Sequence, residues 1–156
     1  MLKLPEIGHI GYLVEDVDRA AADFSASCDY PAFVVYDFVP KRAWSYGTEI
    51  FDCKFRIGIC SPEQGAKIEL IQFISGTNTP HEAFLKEHGP GIHHIAYYAT
   101  EEYDALREHF AALPGGRIIF EAEIEDEVMG KRCSFYAEAP GYPSIIEVSK
   151  RPTKLK

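Results

Sequence analysis

The sequence predicts an α+β fold made of two tandem units, each with the order strand, helix, strand, strand, strand. Two observations predict it: the order occurs twice along the chain, and short motifs in the two copies match. The 156 residues, 46% of them hydrophobic, are enough for one domain with a sizeable core. We therefore expect a single domain over 1–156, with a βαβββ unit at 5–75, a linker with a short helix at 76–91 and a second βαβββ unit at 92–150.

The first unit opens with an apolar strand at 7–14, followed by a helix in which Val17, Ala21 and Phe24 recur at helical spacing. Aromatic and β-branched runs broken by turn residues then predict three strands, at 33–39, 55–60 and 67–73. A short helix at 82–88 ends where glycine and proline follow it.

The second unit repeats this order after the linker. An apolar strand is predicted at 92–99, a helix at 101–113, and three strands at 117–120, 132–138 and 144–149. The acidic run 121–127 between the first two of these strands is interpreted as a solvated linker, or a lid over a site.

The duplication can be checked residue by residue. The segment 8–14 aligns with 93–99, with His9 over His94 and a matching isoleucine and tyrosine. At the far end of each unit, Glu69 aligns with Glu147, and each glutamate stands between aliphatic neighbours. The separations of these two pairs, 85 and 78 residues, differ by one short loop.

These repeated positions predict a metal site. Histidine and glutamate are unusual within apolar strands, and burying a carboxylate without a partner is costly. One divalent cation would satisfy the four side chains together and leave coordination positions open for substrate, which implies catalysis. We therefore predict four metal ligands, with Glu69 and Glu147 also as candidate catalytic carboxylates: His9, Glu69, His94 and Glu147.

Strand alternation distinguishes the two adjacent histidines, because transferring the orientation of His9 to the second unit turns His94 toward the site. His93 is then structural or an outer hydrogen-bond donor. The small residues Gly11 and Ala96, two positions beyond each ligand, are expected to leave room for a substrate. The other histidines (His81, His88 and His109) are predicted on the solvated surface, and three aromatic residues (Trp44, Tyr98 and Tyr136) as candidate pocket residues.

Composition excludes several classes of function. The formal charge of -8 disfavours nucleic acids and anionic membrane surfaces as partners. No apolar run is long enough to cross a bilayer, and the N-terminus lacks the pattern of a signal peptide, so a cytoplasmic protein is expected. The four cysteines lack C-x-x-C spacing and are interpreted as reduced. Exposed edge strands favour a homodimer. The expected partner of the site is a small-molecule substrate.

The residues resemble the vicinal oxygen chelate superfamily, the group of glyoxalases, bleomycin-resistance proteins and extradiol dioxygenases. The run from Glu69 through His81-Glu82-Ala83-Phe84-Leu85 to Gly89–Ala96, with Gly130-Lys131-Arg132 later, looks most like methylmalonyl-CoA epimerase and its glyoxalase-like relatives. The resemblance implies a cup-shaped, partly open mixed β-sheet around one divalent ion (Co, Ni, Mn, Zn or Fe), held by the four ligands above. It also implies an epimerase or isomerase acting on a thioester or other carbonyl compound through a metal-stabilised enolate.

One position departs from that pattern. The epimerases are similar in carrying a glutamate base on the strand before the Glu69 strand, and Arg56 stands there in this chain. A ligand glutamate could detach and act as the base, as the glyoxalase I resemblance implies, with Arg56 binding a substrate carboxylate or phosphate.

Three other functions therefore stay open: a lactoylglutathione lyase, an extradiol dioxygenase, which uses two His and one Glu, and a protein that sequesters a small molecule. Whether the two units pair within one chain or between chains is also open.

Overall fold

The computed structural model describes residues 2–154 as one curled, mixed β-sheet with three helices, which confirms the predicted α+β fold and its partly open cup. The strands are β1 (Ile7–Leu13), β2 (Val34–Phe38), β3 (Arg42–Ser45), β4 (Thr48–Ile50), β5 (Lys54–Cys60), β6 (Lys67–Ser75), β7 (Gly91–Ala99), β8 (Arg117–Asp126), β9 (Gly130–Glu138) and β10 (Ile145–Lys150). The helices are α1 (Val17–Ser27), α2 (Pro80–His88) and α3 (Tyr103–Ala112).

The two units meet at the centre of the sheet, whose strand order is β2-β5-β6-β1-β7-β10-β9-β8-β3-β4. Strands β1 and β7 pair antiparallel, with His9 opposite Ala96 and Gly11 opposite His94. Strand β6 lies parallel to β1, and β10 lies parallel to β7. The first and last strands of each unit are therefore neighbours, and the two units are joined within one chain.

The structure contains a short hairpin, β3 with β4, that the sequence does not predict. It comes in addition to the three strands predicted between 31 and 73. Its turn residues, Tyr46 and Gly47, have φ of 48° and 81°. Two consecutive positive φ values are the signature of the type I′ turn, whose twist suits a two-residue hairpin. The sequence Tyr46-Gly47 between short strands was the available signal, and the polar, four-residue β3 obscured it.

This hairpin belongs to the first unit but extends the sheet of the second. Strand β2 pairs with β5 at one end of the sheet, whereas β3 pairs with β8 near the other end. The chain between Phe38 and Arg42 therefore crosses from one end of the sheet to the other. Phe38 and Ala43, on either side of this crossing, are buried in the same apolar cluster inside the cup.

Residues 121–126 of the acidic run predicted as a linker or lid belong to β8, so that interpretation is wrong. Ala122 and Ile124 point into the cup and are buried, whereas the alternating glutamates face outward. Each glutamate has a basic neighbour: Arg107 contacts Glu121, Arg42 contacts Glu123, and Lys41 and Lys131 contact Glu125. The sequence did contain the two-residue alternation of apolar and polar residues typical of a half-buried strand, but its polar positions are charged.

Helices α1 and α3 cover the outer face of the sheet, whereas α2 packs against the cluster inside the cup. Helix α1 packs on β5 and β6 around Val17 and Ala21, and α3 packs on β8, β9 and β10 around Leu106 and Phe110. Helix α2 begins at Pro80, with Thr79 as its N-cap, and adjoins β7. None of the helices within residues 2–154 has the length and apolarity needed to span a bilayer.

Candidate metal centre

The four predicted ligands converge at the centre of the sheet. Glu147 Oε2 lies 3.1 Å from His9 Nε2 and 3.0 Å from His94 Nε2. Glu69 Oε2 lies 3.3 and 3.4 Å from the same two nitrogens, which are themselves 3.1 Å apart. All four side chains are buried, and one ligand atom from each lies within 4.8 Å of the others.

The repeat explains this convergence. In the pairing of β1 with β6, Gly11 stands opposite Glu69, and in that of β7 with β10, Ala96 stands opposite Glu147. Each glutamate therefore lies one strand away from the histidine of its own unit. Each unit contributes one imidazole and one carboxylate, and neither unit holds the whole set.

The spacing and chemistry of the cluster fit one divalent ion. Two ligand atoms at about 2.1 Å from an ion and at right angles lie about 3 Å apart, close to the distances seen here. Glu69 and Glu147 are each about 5% exposed, and within residues 2–154 neither forms an ion pair with lysine or arginine. Two buried carboxylates without such partners are costly, so the cluster could hold a metal.

The charges of the cluster shift its pKa values in the directions that metal ligation requires of carboxylates. Burial raises the pKa of Glu147, but the charge of His9 and hydrogen bonds from both histidines outweigh burial and lower it to about 2. The same causes hold the pKa of Glu69 well below its usual value. Burial lowers the pKa of His9 and His94, but the two carboxylates outweigh that effect and raise both. A metal would therefore displace protons from the histidines.

Each ligand imidazole is oriented by a contact to its other nitrogen. The Tyr98 hydroxyl lies 3.0 Å from His9 Nδ1, and His93 Nδ1 lies 3.0 Å from His94 Nδ1. Such contacts fix the imidazole ring and leave Nε2 of each histidine facing the cluster. The structure therefore places Tyr98, a predicted substrate-binding residue, behind His9, and His93 in the predicted outer position.

Gly11 makes room for the ring of His94, one of the candidate metal ligands. A Cβ atom at Gly11 would lie 2.1 Å from His94 Cε1 and 2.4 Å from His94 Nε2. The glycine therefore accommodates the His94 ring, whereas the sequence predicted that it leaves space for substrate.

A small cavity of about 30 Å³ adjoins the cluster inside the cup. Part of its wall is aromatic, and Tyr136, a predicted substrate-binding residue, lies there with its ring 4.8 Å from that of His94. Phe38, Phe55 and Phe120 complete the aromatic wall. A volume of this size holds about two water molecules, so the cluster faces a largely apolar, confined space.

His81 lies in this cavity, so its predicted surface position is wrong. The side chain is 1% exposed and its ring lies 4.9 Å from that of His93 and 4.7 Å from that of Phe55. Burial lowers the pKa of His81 to about 3, which keeps the ring neutral. The available signal was helical spacing, because Phe84 and Leu85, three and four residues later, pack on the same interior cluster.

Two further predicted residues do not line this cavity. Arg56 Nε lies 2.8 Å from Asp18, and its Nη1 lies 3.0 Å from Asp37, on the side of β5 that faces α1. Trp44 stacks under the guanidinium of Arg42, 4.6 Å from its ring centre. In contrast, Arg132 and Ser134, which sequence reasoning did not select for the site, do line the cavity. Their alternation with Tyr136 along one strand was the available signal.

The fold and the buried cluster define a protein in which two units, each opening with a strand and a helix, share one candidate metal site. The chain belongs to the glyoxalase/bleomycin resistance protein/dioxygenase superfamily, whose family profile matches residues 8–132. This membership confirms the resemblance seen in the sequence. A comparison with curated protein sequences finds no match.

Solved structures share the fold at low identity. A variant of Streptomyces coelicolor methylmalonyl-CoA epimerase in complex with 2-nitronate-propionyl-CoA has a TM-score of 0.66 and 17% identity, covering 96% of this chain and 99% of its own. The methylmalonyl-CoA epimerase of Mycobacterium tuberculosis has a TM-score of 0.64 and 18% identity, covering 97% and 93%. A variant of 4-hydroxymandelate synthase from Streptomyces coelicolor has a TM-score of 0.61 and 15% identity, covering 98% of this chain and 50% of its own.

Proposed function

We propose that this protein is a metal-dependent epimerase or isomerase that moves a proton at the carbon beside a carbonyl group of a thioester or related compound. One observation carries the proposal: Glu69 and Glu147 are the only carboxylates among the described residues that line the cavity. Both are buried, and their lowered pKa values keep them ionised. An ionised carboxylate beside a largely apolar cavity can accept a proton from a bound substrate and later return it.

The chemistry of the four side chains indicates the role of each. His9, His94, Glu69 and Glu147 would hold the ion, which when bound polarises a carbonyl oxygen and stabilises negative charge on it. One glutamate comes from each unit, so the site has two groups able to accept or return a proton. Inversion at a carbon needs a proton removed from one face and returned to the other, which two carboxylates can do.

Coenzyme A thioesters are the first substrate class to test, because two structurally similar proteins are methylmalonyl-CoA epimerases. The cavity of about 30 Å³ would take only the acyl part of such a compound. A homodimer in the cytoplasm remains part of this proposal.

A lyase of the lactoylglutathione type is the second candidate. The position at which the resemblance implies a separate glutamate base holds Arg56, and this side chain is paired with Asp18 and Asp37. A ligand glutamate would then have to move the proton, as the resemblance to glyoxalase I implies. A dioxygenase fits less well, because two glutamates occupy the cluster where that branch has one.

Deuterium exchange tests the proposal. The protein is loaded with Co, Ni, Mn or Zn in D₂O, and candidate thioesters and hemithioacetals are followed by NMR. Exchange at the carbon beside the carbonyl without net conversion is expected for an epimerase, and conversion of the hemithioacetal for the lyase.

Glu69→Gln and Glu147→Gln should each lower exchange by at least about 100-fold, the lower end of what a positioned acid or base contributes. The matched control is Glu123→Gln, which changes an exposed glutamate of β8 and should leave exchange unchanged. Full exchange in both cluster variants, or consumption of oxygen with oxidised products, would refute the proposal.

A further inference from the structure

Arg132 is a buried guanidinium on the wall of the same cavity. It lies on β9, its side chain is 5% exposed, and it lines the cavity together with His9, Glu69 and Glu147. Apart from the imidazoles, it is the cationic side chain among the described residues that line this cavity. Burying a guanidinium is costly unless its charge and its N–H donors have partners.

One edge of the Arg132 guanidinium is held in place. Its Nη1 donates to Asp126 Oδ2 at 3.2 Å. The other oxygen of Asp126 accepts from the backbone N–H groups of Val128 and Met129, at 2.9 and 2.6 Å. The turn between β8 and β9 therefore fixes the carboxylate, and the carboxylate fixes the arginine.

The other edge of the guanidinium has no such partner. Arginine has five N–H donors, and Nε and Nη2 of Arg132 make no hydrogen bond with a residue in the range 2–154. These two nitrogens form the planar fork that matches a carboxylate with two parallel hydrogen bonds.

Tyr36 supplies a second unused donor nearby. Its hydroxyl oxygen is buried without a hydrogen-bond partner in the described chain, and its ring packs on the apolar cluster inside the cup. Burial raises the pKa of Tyr36, and Asp126 and Glu69 raise it further, whereas the charge of Arg132 lowers it. The hydroxyl is therefore protonated. Tyr36 stands opposite Ile57 in the pairing of β2 with β5, and Ile57 lines the cavity together with Arg132.

We propose that Arg132, assisted by Tyr36, binds a carboxylate of the substrate, so that the natural substrate is a small carbonyl compound with a carboxylate remote from the reacting carbon. The inference rests on the proposed function. Two ionised glutamates and a divalent ion together carry no net charge, so the cluster itself does not select anions. Apart from the cluster and Arg132, no charged side chain of the described residues lines the cavity.

Paired 2-oxo acids test this assignment. 2-Oxoglutarate and 2-oxopentanoate present the same vicinal oxygens to a metal and differ in a carboxylate or a methyl group at the far end. Their binding to the Co-loaded protein is measured by calorimetry and by the visible spectrum of the ion. We expect the wild-type protein to prefer 2-oxoglutarate at least about tenfold, since hydrogen bonds to a charged group commonly contribute that much.

Arg132→Gln should reduce the preference to less than about twofold, and Tyr36→Phe should reduce it by a smaller factor. Lys131→Gln is the matched control, because Lys131 is the adjacent, exposed residue paired with Glu125, and the preference should survive. Should Arg132→Gln unfold because it leaves Asp126 unpaired, Arg132→Lys keeps the positive charge but lacks the fork, and an intermediate preference is expected.

Equal binding of the two acids by the wild-type protein, failure of both to bind, or an unchanged preference in the arginine variants would overturn the inference. Deuterium exchange at C3 of the same acids reports separately on the proposed function. A preference that depends on Arg132 without any exchange would refute the proposed chemistry and support the carboxylate site.

Discussion

Gly11 shows how one residue controls the candidate metal centre. It lies in β1 between the β6 and β7 strands, opposite Glu69 on one side and His94 on the other. The His94 ring occupies the space where a side chain at this position would begin. We predict that Gly11→Ala displaces the ring, because a Cβ at 2.1 Å cannot be tolerated, and weakens binding of Co or Zn by at least about tenfold.

Metal affinity is measured by competition with a chromophoric chelator. Gly91→Ala is the matched control: this glycine lies on β7, and no atom lies within 4 Å of a Cβ built there. Its affinity should equal that of the wild-type protein. Unchanged affinity in a folded Gly11→Ala protein would show that the His94 ring need not occupy this space.

The candidate ligands were within reach of sequence reasoning because the duplication marks them twice. His9 and His94 occupy equivalent places, and so do Glu69 and Glu147. His81 and Arg132 have no counterpart that the repeat could flag, and each stands among charged neighbours typical of a surface. Their burial depends on contacts between units, which a single sequence does not contain.

At the scale of elements, β3 completes the wall of the cup. Ala43 is 1% exposed and stands opposite Ala122 of β8, which is 3% exposed. Two small side chains at this pair allow the hairpin to lie against the second unit. Ala43→Leu should destabilise the protein by about 1–3 kcal/mol, because extra methylene groups in a packed interior force neighbours to move.

The free energy of unfolding in urea measures this effect. Thr48→Leu, on the exposed side of β4, adds apolar volume outside the cup and should change stability by less than about 0.5 kcal/mol. Equal stability of Ala43→Leu and the wild-type protein would contradict the packing of β3 seen here.

The elements that the sequence predicts are those with strong apolar periodicity, including β1, β7, α1 and α3. The misinterpreted ones, β3 and β8, meet each other at the edge of the cup. Outward glutamates of β8 hide its alternation, and β3 is too short for a pattern of its own. Strand β3 forms because it pairs with β8, which is a nonlocal cause, whereas β8 itself pairs with β9 along its length.

At the scale of the whole molecule, the site joins the two units. Strands β1 and β7 pair within one chain, so the described chain contains a complete set of four candidate ligands. The charged side chains of the cluster between the two units also make the stability of the protein depend on pH.

The contribution of this cluster to the stability of the metal-free protein should be largest between about pH 4.5 and 6.5. The raised pKa of His9 and His94 means that their stabilisation is complete below the ordinary histidine value of 6.5 and is lost as pH rises through the folded values. The lowered pKa of Glu69 and Glu147 means that theirs is complete above the ordinary value of 4.5 and is lost as pH falls.

Bound metal should reverse the alkaline trend. A metal replaces the protons on the two imidazoles, so its binding strengthens as pH rises, and it stabilises the folded state by mass action. The free energy of unfolding in urea is measured at pH 5.5, 7 and 8.5. With EDTA it should fall as the pH rises, and with excess Zn it should not fall. His88→Asn, which removes an exposed histidine, should leave both profiles unchanged. Parallel profiles with and without metal would mean that His9 and His94 do not give up protons to an ion, and the four-ligand assignment would fall with them.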